Sequence, residues 1–138
     1  MYLLDTNVIS ELRKKSNANK GVKSFFKKVT LENSQLFLSV ITIGELRRGV
    51  ELIRHRGDVR QAEMLERWLI STIQDYSDRI LEFSVEEAQL WGRLRVPNHE
   101  NSLDKQIAAT ALIYDLCVVT RNTGDFIGTG VRLLNPFE

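Results

Sequence analysis

Cysteine is almost absent. Cys117 stands alone, so no disulfide forms within the chain, and in the apolar run Leu116-Cys-Val-Val119 it reads as a small core residue. The two histidines, His55 and His99, are isolated, which with one thiol leaves no ligand set for zinc. No apolar run approaches the ~20 residues of a membrane span, and no signal peptide opens the sequence. A soluble, cytoplasmic protein with no membrane partner is therefore expected. Also missing are a P-loop, a glycine-rich dinucleotide turn, and a Ser or Cys nucleophile in a recognisable setting. There is no internal repeat, linker or low-complexity segment.

What is present fits a globular protein. At 138 residues, 43% hydrophobic and 27% charged, the chain can bury a core without staples, and one domain over residues 1–138 is expected. The net charge of +1 hides an asymmetry. Residues 1–70 carry 13 Lys/Arg against 8 Asp/Glu and residues 71–138 carry 6 against 10, so the halves stand near +5 and −4. Surface scatter explains this, as does a phosphate-binding surface beside a carboxylate site.

Short apolar runs alternate with helical periodicity. Tyr2-Leu3-Leu4 reads as a buried strand ending on Asp5. Val8, Ile9 and Leu12 then form a helical face capped by Thr6 or Asn7. Val22, Phe25, Phe26 and Val29 define a second helix. Leu36–Ile41 reads as the second strand, and Thr42-Ile-Gly-Glu45 matches a capping box opening the next helix. A break at Gly57-Asp58 precedes a helix from Val59 to Gln74, whose apolar stripe Met64 and Trp68 widen. Ile80–Phe83 is a third strand, and Ser84-Val-Glu-Glu87 is a second capping box. The helix from Leu103 to Tyr114 is so rich in small apolar residues that it should be largely buried. Leu116–Thr120 is a fourth strand, apolar throughout as in a parallel sheet covered on both faces, and Val131–Leu134 an edge strand. Strands alternating with helices predict a three-layer α/β/α fold around a mainly parallel sheet of about five strands.

In such a sheet the strand-to-helix turns share one edge. Asp5 follows the first strand, Glu45 the second and Asp125 the fourth. Asp104 opens the helix leading into the fourth strand, and reaches that edge if the preceding loop climbs back. Each acid also has an ordinary explanation: Glu45 as half of a capping box, Asp104 as an anion favoured by the helix dipole. Four converging carboxylates would repel one another, since two charges ~4 Å apart cost about 4 kcal/mol at an effective dielectric near 20. They would raise one another's pKa or recruit a hard divalent cation, Mg²⁺ or Mn²⁺. Carboxylate-held Mg²⁺ is an apparatus for phosphodiester hydrolysis, the metal activating water. An aspartyl-phosphate enzyme also places an Asp after its first strand but wants a second Asp two positions on, where this sequence has Asn7.

Taken together, the motifs resemble PIN-domain ribonuclease toxins of the VapC/FitB type along the whole chain. The resemblance rests on Leu4-Asp5-Thr6-Asn7, Ile43-Gly-Glu45-Leu-Arg-Arg-Gly49, Asp104-Lys-Gln-Ile-Ala-Ala-Thr-Ala111, Val119-Thr-Arg-Asn-Thr-Gly-Asp125-Phe126 and Val131-Arg-Leu-Leu-Asn-Pro136. It implies a PIN-like fold and a metal-dependent endoribonuclease in which Asp5, Glu45, Asp104 and Asp125 are catalytic and hold Mg²⁺ or Mn²⁺. Thr6, Asn7, Thr120 and Asn122 would be supporting polar groups. Arg121 would meet phosphate or brace the strand end. Arg13, Lys14, Lys15, Arg47 and Arg48, with Lys20 and Lys23, would hold the RNA backbone. The implied partners are a VapB/FitA-type antitoxin and a second copy of the chain, with DNA reached only through the antitoxin. The helices around Val50–Ile53 and Leu65–Ile73 would offer docking surfaces. Lys105 and Gln106 depart from the apolar residues common there, and Ser84 from a common Asp. A rival of another class is a catalytically idle PIN-like module that binds RNA or a partner; a weaker rival is a Mg²⁺ phosphatase acting on small phosphoesters.

Overall fold

The computed structural model describes residues 1–138. In chain order the elements are β1 (Tyr2–Leu4), α1 (Thr6–Leu12), α2 (Lys20–Leu31), β2 (Leu36–Ser39), α3 (Val40–His55), α4 (Val59–Asp75), β3 (Ile80–Leu81), α5 (Val85–Leu94), α6 (Ser102–Tyr114), β4 (Cys117–Val119) and β5 (Leu133–Leu134). Short 3-10 turns occupy Lys15–Asn17 and Thr123–Phe126. No helix is long and apolar enough to cross a membrane.

The five strands form one parallel sheet in the order β3-β2-β1-β4-β5. β1 is central, pairing Tyr2 with Leu36 on one side and Tyr2 with Cys117 on the other. From β1 the chain builds outward through β2 and β3, then returns past β1 to lay down β4 and β5. The order therefore reverses between β1 and β4, and in open α/β sheets the crevice outside the strand ends at such a reversal is where ligands bind.

The strands' period of two divides the core. Leu4, Leu36, Leu38 and Val119 point to one face, where they pack with residues of α1, α2, α3 and α4. Leu3 and Val118 point to the other, against Ile107, Ala108 and Ala111 of α6 and Phe126, with Leu94 of α5 alongside. The result is three layers, as the alternation of elements predicts. The small side chains of α6 let it lie close on the sheet: Ala108, Ala109 and Ala111 are fully buried.

Several boundaries differ from the sequence reading, for local reasons. β2 stops at Ser39 rather than Ile41, because the Ser39 hydroxyl accepts from Ile41 N at 3.0 Å and caps α3. Thr42 is thus not a cap but a buried residue inside α3, and Glu45 is released from any capping duty. The cap of α1 is Asp5, rather than Thr6 or Asn7. β3 and β5 are only two residues each, shorter than the apolar runs suggest, because few of their residues reach a partner strand. Met64 stays exposed on α4. The Ser84–Glu87 capping box does form, with Ser84 N donating to Glu87 Oε2 at 2.9 Å.

Candidate active site

Asp5 sits where β1 ends, and is 4% exposed. Its backbone N–H makes the last rung with β4, donating to Val119 O at 2.9 Å. Its backbone is extended (φ −75°, ψ 162°), so its carboxylate turns back over the first turn of α1 and accepts from Thr6 N at 2.8 Å. The other oxygen accepts from the Thr120 hydroxyl at 2.8 Å and from Asn7 Nδ2 at 3.4 Å. Burial pushes the Asp5 pKa above the ordinary carboxylate value, the bonds from Thr120 and Thr6 oppose that, and nearby Asp125 adds to the rise.

Glu45 lies on α3 beyond its first turn, half-buried, and its Oε1 accepts from the Thr6 hydroxyl at 3.0 Å. Its pKa is also raised, by burial first, with Thr6 opposing and Asp5 adding. Asp104 stands in the first turn of α6, and its pKa is raised to about 7 by burial and then by the charges of Asp5, Asp125 and Glu45. Leu103, beside Asp104, lines one cavity with Glu45, so the loop before α6 climbs back and α6 begins at the edge where β1 and β4 end. Asp125 is held in the turn Thr123–Phe126, where its N–H donates to Asn122 O at 3.0 Å and Phe126 is buried beside it.

The supporting polar groups form one connected set. The Thr120 hydroxyl donates to Asp5 and accepts from Asn122 N at 3.0 Å and Asn7 Nδ2 at 3.4 Å. Asn7 Oδ1 accepts from Arg121 N at 3.0 Å, so Asn7 ties the end of β4 to the start of α1. Asn122 contributes its backbone to this set.

The donor set around the cleft is carboxylate and hydroxyl oxygen, which suits a hard cation such as Mg²⁺. His55 and His99 are exposed, and Cys117 begins β4 at the opposite edge of the sheet, its thiol pushed up by burial. No three acidic, His or Cys side chains are preassembled as a coordination shell. Asp5, Asp125 and Glu45 lie near enough to Asp104 to add to the rise in pKa that burial sets.

The basic residues divide. Arg13 lines a cavity of about 200 Å³ together with Thr6, Ser10, Glu45 and the apolar Val50, Ile53, Leu65 and Trp68. Arg48 lines a second cavity on the other side of Glu45, with Gly44 and Leu103. Lys14 is paired with Glu11 at 2.9 Å, and Lys15 is exposed. Arg47 is drawn away, pairing with Glu66 at 2.5 Å and Glu51 at 3.2 Å. Lys20 is exposed, and Lys23 donates to Ser16 O at 3.0 Å. Ser10 and Trp68 line the first cavity too, although sequence pattern alone gives Ser10 no role and reads Trp68 as packing. The polar stripe Thr6, Ser10, Arg13 on α1, spaced four and three apart, was the available signal.

A family model described as PIN domain matches residues 2–129. The chain belongs to the PIN-domain family. This PIN domain is 35% identical to Toxin FitB of Neisseria gonorrhoeae over 143 residues, covering 100% of this chain and 99% of that protein. It is 30% identical to VapC ribonuclease Y4jK of Sinorhizobium fredii, over 143 residues and with the same coverage. Among solved structures, it is similar to the crystal structure of FitAcB from Neisseria gonorrhoeae, with a TM-score of 0.85 at 34% identity, over 99% of this chain and 98% of that one. For the structure of FitAB bound to an IR36 DNA fragment the TM-score is 0.83 at 33% identity, over 100% and 96%. The PIN domain's acids, read first from strand ends, thus lie in a chain whose likeness to these proteins is end to end.

Proposed function

We propose that this PIN domain is a metal-dependent endoribonuclease and the toxin of a toxin–antitoxin pair. The observation that carries the chemistry is the gathering of Asp5, Glu45, Asp104 and Asp125 at the sheet's reversal point, where burial first and then the charges of the other three raise Asp104 to about 7. The four carboxylates would hold Mg²⁺ or Mn²⁺. Such a cation, when bound, activates water and steadies charge on a phosphate oxygen, the chemistry that hydrolyses phosphodiesters.

The chain's own residues prepare that site. Thr120, Thr6 N and Asn7 fix both oxygens of Asp5, so its position survives changes of charge nearby. The Thr6 hydroxyl does the same for one oxygen of Glu45. Asp104 holds or releases a proton near neutrality, making it the acid whose charge answers most directly to a cation. Arg13 and Arg48, on either side of Glu45, would contact the RNA backbone.

Likeness to FitB and to VapC ribonuclease Y4jK supports RNA as substrate and an antitoxin as partner. The cavity between α1, α3 and α4 pairs an apolar floor with Glu45 and Arg13 at its rim, and suits an apolar antitoxin segment bearing a basic group. A homodimer would be the second assembly, and DNA would be met only through the antitoxin. A cytoplasmic site of action follows from that role.

Purified protein should fragment RNA in Mg²⁺ or Mn²⁺ and stop on addition of EDTA. Asp5→Asn should abolish cutting; a variant as fast as the parent would remove Asp5 from the chemistry. In cells, expression should arrest growth and Asp104→Asn should relieve it.

A further inference from the structure

Three arginines lie over aromatic rings, and they differ in what else holds them. Arg79, 4.8 Å from the Tyr76 ring centroid, also donates to Leu36 O and Asp75 O. Arg95, 4.6 Å from the Trp91 centroid, donates to His99 O. Arg121, 5.0 Å from the Phe137 centroid, has no such partner. Its backbone N–H goes to Asn7, but its guanidinium makes no hydrogen bond, and no carboxylate lies within ion-pairing distance. The nearby Glu11 is engaged by Lys14 Nζ at 2.9 Å and Asn19 N at 2.8 Å. A guanidinium stacked on a ring has one face occupied while its in-plane N–H donors stay free, and those donors match phosphate in a two-point contact.

The placement of this group is over-determined. Arg121 directly follows Thr120, the donor to Asp5, and its N–H is bound by Asn7, which also donates to Asp5. The ring beneath it is fixed as well. Asn19, at the start of α2, donates to Glu138 O at 2.8 Å and accepts from Glu138 N at 3.0 Å. Next to it, Gly21 admits the Pro136 carbonyl so closely that a Cβ there would stand 2.0 Å from the oxygen. The segment Asn135–Glu138 is thereby clamped on α2, with Phe137 packed against the core.

We propose that Arg121, carried on Phe137, binds a backbone phosphate of RNA beside the one being cut, and so sets the strand's register over the acids. This rests on the endoribonuclease reading and adds a positioning residue to it. Arg121 is a free, solvent-facing cation one residue beyond Thr120, so it draws a phosphate at the edge of the cleft, next to the one that the acids and their cation would hold. Phe137 limits the guanidinium's freedom, so less entropy is lost on binding.

The test is binding of a short fluorescent single-stranded RNA to the full chain in an Asp104→Asn background, measured by polarisation across a salt series, with melting temperature recorded alongside. Arg121→Ala should lose roughly tenfold in affinity, and the slope of log K against log salt should shrink by about 0.7, the share of one phosphate on a single strand. Arg121→Lys should keep the slope and recover part of the affinity. Phe137→Leu should weaken binding while leaving the slope near the parent's. In the Asp104-intact enzyme, Arg121→Ala should act on KM more than on kcat. An unchanged slope and affinity with a lowered melting temperature would make Arg121 a brace for the end of β4 and overturn the assignment alone. Failure of the parent protein to bind RNA at all would overturn both this assignment and the nuclease reading.

Discussion

The Thr120 hydroxyl donates to Asp5 Oδ2 at 2.8 Å, joining residues 115 positions apart at the ends of adjacent parallel strands. It is the chief influence holding the Asp5 pKa down against burial. Thr120→Val keeps the shape and removes the hydroxyl, which also strips Asn122 N of its acceptor. We expect a stability loss of about 1–2 kcal/mol, a higher Asp5 pKa and weaker Mn²⁺ binding. Denaturant melts and calorimetric titration check these outcomes. Unchanged Mn²⁺ affinity would separate Thr120 from the site.

Asp104 makes the fold pH-sensitive in a direction that can be worked out. Unfolded, it titrates near 3.8; folded, at about 7. Between those values the folded protein binds more protons than the unfolded one, so stability falls as pH rises through the window. Asp104→Asn removes this slope. Without divalent ions, the variant should match the parent near pH 4 and exceed it above pH 7 in urea midpoint. Excess Mn²⁺ at pH 8 should raise the parent's midpoint and leave the variant's nearly unmoved.

Ser39, within the run that reads as a strand, takes the capping duty that the sequence suggests for Thr42 and Glu45. Ser39→Ala should cost about 1 kcal/mol by removing the cap of α3, with RNA cleavage largely kept. Glu45→Gln still accepts from the Thr6 hydroxyl but loses its charge. It should leave the melt close to the parent's and lower cleavage by at least tenfold, since divalent ions coordinate carboxylates far better than amides. A Glu45→Gln protein that melts early but cuts normally would restore the capping explanation.

Gly21 and Gly92 make a matched pair. Both are helical, but a methyl group at Gly21 meets the Pro136 carbonyl, whereas one at Gly92 meets nothing within 4 Å. Gly21→Ala should destabilise by about 1–3 kcal/mol, the cost of overpacking against backbone. Gly92→Ala should stabilise by up to about 1 kcal/mol through helix propensity. Chemical denaturation of the two variants decides it.

Where periodicity was long, the sequence reading and the structure agree closely. α4, read as Val59 to Gln74, runs from Val59 to Asp75, and α6, read from Leu103, begins at Ser102. Short apolar runs were less informative. Leu36–Ile41 contains both a strand and the first turn of a helix, and only the Ser39 cap separates them. The resemblance singled out the four acids and their polar neighbours, but not what each neighbour does. Asn7 fits equally a helix cap and an orienting group until β4 is laid beside it. The basic residues were least legible. Arg47 and Arg48 are adjacent in sequence, yet one meets Glu66 across the α3–α4 pair and the other faces the second cavity beside Glu45.

By itself, the sequence determined the three-layer class, because alternating apolar runs and helical stripes can bury their faces in few ways. It also placed an acid after each of three strands, since local pattern locates a strand even where, as at β2, it misses the end by two residues. Only the tertiary structure decided that β1 lies between β2 and β4, that α6 begins at the same edge, and that Thr120 meets Asp5. Those relations join residues far apart along the chain, and burial and Coulomb repulsion depend on distance in space. The raised pKa of Asp104 is the sum of such distances, and no local stretch of sequence contains it.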